Sequence, residues 1–285
     1  MISFMENYMI LINDLSDARL DIYTRMSEPQ LKRIYEPDQG LFIAESPMVI
    51  MRALDAGYEP ESVLTCTQAY DGHGRDVIAR IVNEYPQVPV YVASDEVLST
   101  IRGFQMTRGV LCAMKRHELP KPSEILNGAG RAVLLYDIEN PSNVGAIIRS
   151  AAAMKMDALL LTDDCSDPLY RRAARVSVGT VFQIPWTYLH HDDSGDENDE
   201  YSYIDTLKDA GFTVAAMALS DDSISVSDEC LKNAEKLVIV MGNEFSGLPK
   251  GLLYKCDHVV KIPMAEGVDS LNVAAASAVA FYAVS

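Results

Sequence analysis

Five polar side chains, Asn143, Arg149, Glu244, Ser270 and Asn272, stand where the C-terminal half of this chain can do chemistry. An apolar run, Leu237-Val238-Ile239-Val240-Met241, ends in Gly242-Asn243-Glu244-Phe245-Ser246-Gly247-Leu248. A second run, His258 to Met264, ends in Ala265-Glu266-Gly267-Val268-Asp269-Ser270-Leu271-Asn272. Each reads as a strand followed by a glycine-rich loop, and ligands of open α/β sheets bind at the loops leaving the C-terminal ends of strands. Gly242 and Gly247 permit close backbone approach or positive φ. The chemistry indicated is binding of a ligand at two loops, with a carboxylate, a hydroxyl and an amide beside it. A third run, Ala132 to Asp137, precedes Asn140-Pro141-Ser142-Asn143, which opens a helix with Ser142 or Asn143 as N-cap. Arg149 lies six residues beyond Asn143, nearly two turns, so both can face one site. Plainer alternatives stand beside each role. Asn143 can simply cap its helix, and Glu244 can complement a helix dipole. Ser270 and Asn272 can cap the last helix, and Arg149 can form a surface salt bridge. The small-residue face from Val273 to Ala278 reads as close helix packing.

The elements that must position these residues follow from periodicity and breakers. The fold class is α/β in two domains, within a chain of 285 residues. Residues 1–30 read as a helical extension, with Tyr23, Met26 and Leu31 at helical spacing. Residues 31–118 alternate strands and helices: Gly40–Glu45, Pro47–Ala56, Ser62–Cys66, Arg75–Glu84, Val88–Val92, a helix from Ser94, and Gly109–Met114. Residues 119–130 hold Pro120, Pro122, Gly128 and Gly130 and read as a linker. Residues 131–285 form the second domain. After the Arg149 helix it continues with strand Ala158–Thr162, helix Tyr170–Arg175, strand Phe182–Trp186, helix Tyr203–Ala210 and strand Thr213–Met217.

Composition narrows the class. Hydrophobic residues make up 48%, ordinary for a globular protein, and no apolar run approaches the ~18 residues of a membrane span. The first residues carry Glu6, Asp14 and Asp17 where a signal peptide needs Lys or Arg. Five cysteines without a C-x-x-C pair argue against a zinc site or a disulfide framework and fit a reducing cytosol. No metal site is expected, and a cytoplasmic location is. The net charge of −17 counts against an RNA partner, since phosphate contacts draw on Lys and Arg. Six acids fall within Asp192–Glu200, a solvated loop, while Arg171, Arg172 and Arg175, and Arg102, Arg108, Lys115 and Arg116, form clusters of the opposite sign.

Three motifs, in order and spacing, now identify a family. Asn143-x-Gly145-x-x-x-Arg149, Gly242-Asn243-Glu244-x-x-Gly247-Leu248 and Ile262-Pro263-Met264-x-x-Gly267-x-x-Ser270-Leu271-Asn272-Val273 resemble those of the SpoU (TrmH-like) branch of SPOUT RNA 2′-O-ribose methyltransferases. The resemblance covers about residues 131–285 and is reinforced by Arg175-x-Ser177-x-Gly179. It implies a C-terminal α/β domain with a deep trefoil knot, bound S-adenosylmethionine, and a homodimer formed through that domain. It implies that Gly242, Ile262, Met264 and Leu271 form the adenosine pocket. It makes Arg149 the catalytic arginine, with Asn143, Glu244, Ser270 and Asn272 orienting it or the substrate. A guanidinium stays protonated, so an electrostatic role toward a phosphate and the developing oxyanion is preferred to that of a base. The family often has a serine where Ala274 stands.

Residues 31–118 resemble the substrate-binding domain often attached to SpoU enzymes, a small ribosomal-protein-type RNA-binding fold. Phe42-x-x-Glu45 matches, although Ser46 stands where a glycine is usual and Thr107-Arg108-Gly109 where Pro-Gln-Gly is common. The resemblance thus implies methyl transfer to a ribose 2′-hydroxyl of tRNA or rRNA. Two other functions remain open: a catalytically silent cofactor- and RNA-binding assembly protein, and a metabolic α/β enzyme suggested by the acidic charge.

Overall fold

Apolar runs bounded by Gly, Pro and Asn become strands buried on both faces. The computed structural model describes residues 9–14, 16–33, 40–67, 69, 72–94, 98, 109–190, 199–220, 222–268 and 270–285. It divides into two units, Met1–Glu118 with Leu169–Phe182, and Leu119–Pro168 with Gln183–Ser285.

The first unit is built on strands β1 (Met9–Ile12), β2 (Leu41–Glu45), β3 (Pro60–Cys66), β4 (Val90–Ala93) and β5 (Val110–Lys115), in the order β1-β4-β3-β5-β2. β1, β4 and β3 run parallel, and β5 is antiparallel to both β3 and β2. Helices α1 (Pro47–Asp55) and α2 (Arg75–Glu84) each bury one apolar face: Val49, Ile50, Ala53 and Leu54 on α1, and Val77, Ile78, Ile81 and Val82 on α2.

Several sequence expectations are corrected here. Residues 1–30 are not helical throughout, because Met9–Ile12 adds an edge strand in register with Val90–Ala93. The short helices that follow do bury Leu20, Tyr23 and Leu31. Segment 169–182, read as part of the second domain, packs with the first unit. Arg171 Nε donates to Glu45 Oε2 at 2.8 Å, and Arg175 Nη1 lies 3.2 Å from both Glu45 oxygens. Arg52 Nη1 donates to Val178 O at 2.6 Å, and the Phe182 ring centroid lies 5.8 Å from Phe42 and 5.0 Å from Tyr58. Two of the three arginines of the basic cluster at 171–175, Arg171 and Arg175, are therefore engaged with a buried carboxylate. Lys115 pairs with Glu59 at 3.4 Å, and Arg116 is buried, donating to Leu41 O. Arg102, Arg108, most of the helix from Ser94 and residues 191–198 of the acidic loop lie outside the described residues.

Ser46 has φ 90° and ψ 147°, a region that glycine enters freely and L side chains resist. This is the position where the family pattern has glycine. Relief of about 1–3 kcal/mol of strain exceeds the ~0.5–1 kcal/mol entropic cost of glycine. Ser46→Gly is therefore expected to raise stability by about 1 kcal/mol, read as a higher urea midpoint at unchanged slope.

The second unit holds a seven-stranded sheet in the order β10-β12-β9-β11-β6-β7-β8, every neighbouring pair parallel. Its strands are β6 (Arg131–Leu135), β7 (Ala158–Leu161), β8 (Trp186–Tyr188), β9 (Thr213–Met217), β10 (Ile224–Ser225), β11 (Leu237–Met241) and β12 (His258–Lys261). The principal helices are α3 (Pro141–Ala153), α4 (Ser202–Asp209), α5 (Lys250–Lys255) and α6 (Val273–Val284). β11 and β7 are wholly buried, as expected for a parallel sheet covered on both faces. One layer of the core joins Leu134, Leu160, Ile204, Val214, Val240 and Leu252. The expected strand Phe182–Trp186 begins later, since Thr180–Phe182 forms a 3-10 turn. The expected linker contains a helix, Pro122–Leu126, whose Leu126 enters this core.

Candidate active site

β6 and β11 are neighbours, with Leu135 opposite Met241, so the loops leaving them lie side by side. Tyr136 N donates to Met241 O at 2.9 Å and carries the pairing one residue further. The chain then turns through Asp137, at φ 54°. Asn140, rather than Ser142 or Asn143, caps α3: its side chain accepts from Ser142 N at 2.9 Å. The reason is local. Pro141 has no N–H to lose and prefers the first helical position, and it biases the preceding residue out of the helical region. Asn143 consequently falls inside the first turn, buried and free of any capping duty.

The loop after β11 is fixed by Asn243. Its Nδ2 donates to Asp137 O at 2.8 Å and to Asp137 Oδ2 at 3.2 Å. Its Oδ1 accepts from Phe245 N at 2.8 Å and Ser246 N at 3.3 Å, and its carbonyl accepts from Gly247 N at 2.9 Å. Gly247 sits at φ 67°, which closes this turn without strain. Burial pushes the Asp137 carboxyl above its ordinary value, Glu139 and Asp164 add repulsion, and the Asn243 amide opposes them.

Asn272 caps α6, its Oδ1 accepting from Ala274 N at 3.0 Å. Its Nδ2 reaches Asn143 Oδ1 at 3.3 Å and Glu244 Oε1 at 3.4 Å. One amide thereby ties the three motif segments together while capping a helix. A pocket of about 510 Å³ is lined by Asn143, Glu244, Phe245, Ser270, Leu271 and Asn272, among others. A second pocket, of about 360 Å³, contains Gly242, Ile262, Met264 and Leu271 in its wall, with Met217 and Leu248. The two share Asn243, Glu244, Ser270 and Leu271.

Eight of the nine site residues expected from sequence thus line one of two adjoining pockets. Arg149 does not. It is exposed on α3, lines neither pocket, and forms no hydrogen bond or ion pair among the described residues. At 100° per residue, six residues place it about 120° around the helix from Asn143. Sequence reasoning gave no role to Asp137, Asn243 or Phe245. An amide directly after a strand-ending glycine is the signal that could have singled out Asn243.

The second pocket suits a small amphipathic ligand. Its volume falls in the ~300–1,000 Å³ range of small-molecule sites, and its wall is apolar with a few polar groups. A Cβ on Gly242 would stand 2.7 Å from Leu248 Cγ and 3.0 Å from the Gly247 carbonyl carbon, so close approach of these loops requires glycine.

The chain is similar to several known proteins. The model of the SpoU rRNA Methylase family matches residues 130–282. A Mycobacterium bovis protein named as an uncharacterized tRNA/rRNA methyltransferase is 32% identical over 270 residues, covering 94% of this chain and 89% of its own. The 23S rRNA (guanosine(2553)-2′-O)-methyltransferase RlmP of Bacillus subtilis is 27% identical over 197 residues, covering 68% of this chain and 72% of its own. Among solved structures, an AdoMet-bound rRNA methyltransferase from Sinorhizobium meliloti superposes with a TM-score of 0.77 at 23% identity, covering 97% of both chains. With a family model over more than half its length and a relative above 30% identity along nearly all of it, the chain belongs to the SpoU rRNA methylase family of RNA methyltransferases.

Proposed function

We propose that the chain transfers a methyl group from S-adenosylmethionine to a ribose 2′-hydroxyl of transfer or ribosomal RNA. The observation that carries this reading is the pair of adjoining pockets. One is apolar and glycine-walled, the other is lined by amides, a carboxylate and a hydroxyl, and they share a wall. Two substrates meeting at such a wall gain from proximity and orientation. The name of the Bacillus subtilis relative supports the ribose oxygen as acceptor.

The residues present fit the methyl donor. Ile262, Met264 and Leu271 offer apolar contact to an adenine ring, and the strand-end loop at Gly242 offers backbone groups. When bound, S-adenosylmethionine supplies an electrophilic methyl on a sulfonium. The chain's own groups do the rest. Asn143, Ser270 and Asn272 position the ribose, with Asn272 held by its cap and by Asn143. Glu244 fixes the Asn272 amide from the other side. Arg149, unpaired among the described residues, takes a backbone phosphate beside the target nucleotide and eases ionisation of the hydroxyl, whose proton passes to solvent water as the methyl–sulfur bond breaks and the donor leaves as the neutral thioether.

The same reading includes a trefoil knot in residues 131–285, an RNA-binding role for residues 31–118, a cytoplasmic location, and a homodimer. The motif set supports the first two. Val279 and Tyr282, 40% and 75% exposed on an otherwise apolar α6, support association of copies.

Gly242→Ala tests the donor pocket. Overpacking of about 1–3 kcal/mol corresponds to a roughly 5- to 150-fold rise in the Kd of S-adenosylmethionine by titration calorimetry. An unchanged Kd would remove Gly242 from the site. Methyl transfer itself is read by alkali, because an RNA linkage methylated at its 2′-oxygen no longer cleaves.

A further inference from the structure

The side chain of Phe245 is the one feature of the site that the reaction, as described so far, leaves without a use. It is 97% exposed. A single exposed apolar side chain needs no explanation on most surfaces. Here three observations give it one. The first is that the exposure is built. Asn243 accepts the Phe245 backbone N–H at 2.8 Å and anchors the loop on Asp137, while Gly247 closes the turn. The ring is thus presented from a fixed turn.

The second is its place. Phe245 lines the larger pocket, next to Glu244 and within the wall that also holds Asn143, Ser270 and Asn272. It is the one aromatic ring in that lining among the described residues. The third is chemical division. The amides, carboxylate and hydroxyl suit a ribose, whose edges are donors and acceptors. They offer no flat apolar surface to a nucleobase. Unpaired bases in protein–RNA complexes stack on aromatic side chains, and duplex bases expose no face for this.

We propose that Phe245 is the stacking platform for the base of the target nucleoside, which enters the site unpaired. This rests on the RNA reading of the pocket given above. It makes Phe245 a positioning residue that selects unpaired over paired bases. The ring holds the base, and the ribose is thereby set against the polar wall. The contact is sequence-tolerant, because every base has a π-face.

Stacking on one aromatic residue corresponds to a roughly 5- to 150-fold effect on removal. Phe245→Ala is therefore expected to raise the KM for RNA by that factor, with the Kd of S-adenosylmethionine and the mass in solution unchanged. Phe245→Tyr and Phe245→Trp retain function, whereas Phe245→Leu, of similar hydrophobicity, does not. Trp186 is the chain's single tryptophan and is buried. Phe245→Trp in a Trp186→Phe background therefore adds one exposed reporter. Its emission is expected to be quenched by a mixed-sequence single-stranded oligoribonucleotide, and much less by the same strand in a duplex.

Wild-type activity in Phe245→Leu would overturn the proposal. So would a fall in solution mass on Phe245→Ala, which would place the ring in a contact between copies, or unquenched emission at saturating RNA. Quenching without methyl transfer by the wild type would keep the base contact and remove the methyltransferase reading. Methyl transfer without quenching would do the reverse.

Discussion

Arg149→Ala is expected to lower methyl transfer by about 10²–10³-fold while leaving the Kd of S-adenosylmethionine unchanged. The magnitude is of the order that misplacing a reacting group costs, because Arg149 sets the nucleotide through its phosphate. The split between activity and donor binding follows from geometry, because Arg149 lines neither pocket and is exposed on α3. A residue in that position contributes nothing to a small ligand held between β11, β12 and α6, and acts on an RNA that extends beyond the pockets. Its side chain has no partner to lose among the described residues, so the variant is expected to unfold at the wild-type urea concentration. Arg149→Lys keeps the charge but not the planar fork, and is expected to recover only part of the activity. Single-turnover rates, donor titrations and urea unfolding together check the three statements. A loss of donor affinity matching the loss of rate would assign Arg149 to the donor site instead.

Arg171→Ala is expected to cost about 1.5–3 kcal/mol of stability, the range for losing one hydrogen bond to a charged group. The Glu45 side chain is 2% exposed and receives Arg171 Nε at 2.8 Å, while the second arginine, Arg175, is 41% exposed and lies farther away, at 3.2 Å. Removing Arg171 therefore leaves this buried carboxylate with a weaker and more exposed cation, Arg175, in its place. Arg171 also holds Glu28 through its backbone N–H. The double variant Arg171→Ala/Glu45→Gln is expected to lose less than Arg171→Ala alone, because no buried charge remains. Urea unfolding of the three proteins measures this. Equal losses in the single and double variants would show that packing of the Arg171 stem, and not the charge, is what matters.

What the sequence revealed and what it withheld divide along physical lines. β11, β6 and β7 were legible because Leu237–Met241, Arg131–Leu135 and Ala158–Leu161 are short apolar runs stopped by breakers. The loops after β11 and β12 were legible because glycine at a strand end has few other uses. Eight residues that line the two pockets were named through the family motifs that those loops and the start of α3 resemble. The rest depends on partners far along the chain. The four residues of β1 carry no period long enough to separate strand from helix, and pairing with Val90–Ala93 decides the matter. Nothing near Arg171 announces Glu45, 126 residues earlier, so a segment that looks like a solvent-facing basic helix packs on the first unit. Asp137 at positive φ, its anchoring by Asn243 and the presentation of Phe245 are consequences of two parallel strands lying side by side. Ser46 worked the other way. The departure from glycine was visible in the sequence, and the structure gives it a meaning in φ.

The central claim is tested most directly by giving the purified protein labelled S-adenosylmethionine and total RNA from cells lacking its gene, then hydrolysing the RNA in alkali. The account predicts label in an alkali-resistant dinucleotide, carried by a 2′-O-methyl ribose, in one size class of transfer or ribosomal RNA. It predicts labelling about 10²–10³-fold slower with Arg149→Ala. Label on a base, or no label while the donor still binds with its ordinary stoichiometry, would contradict it.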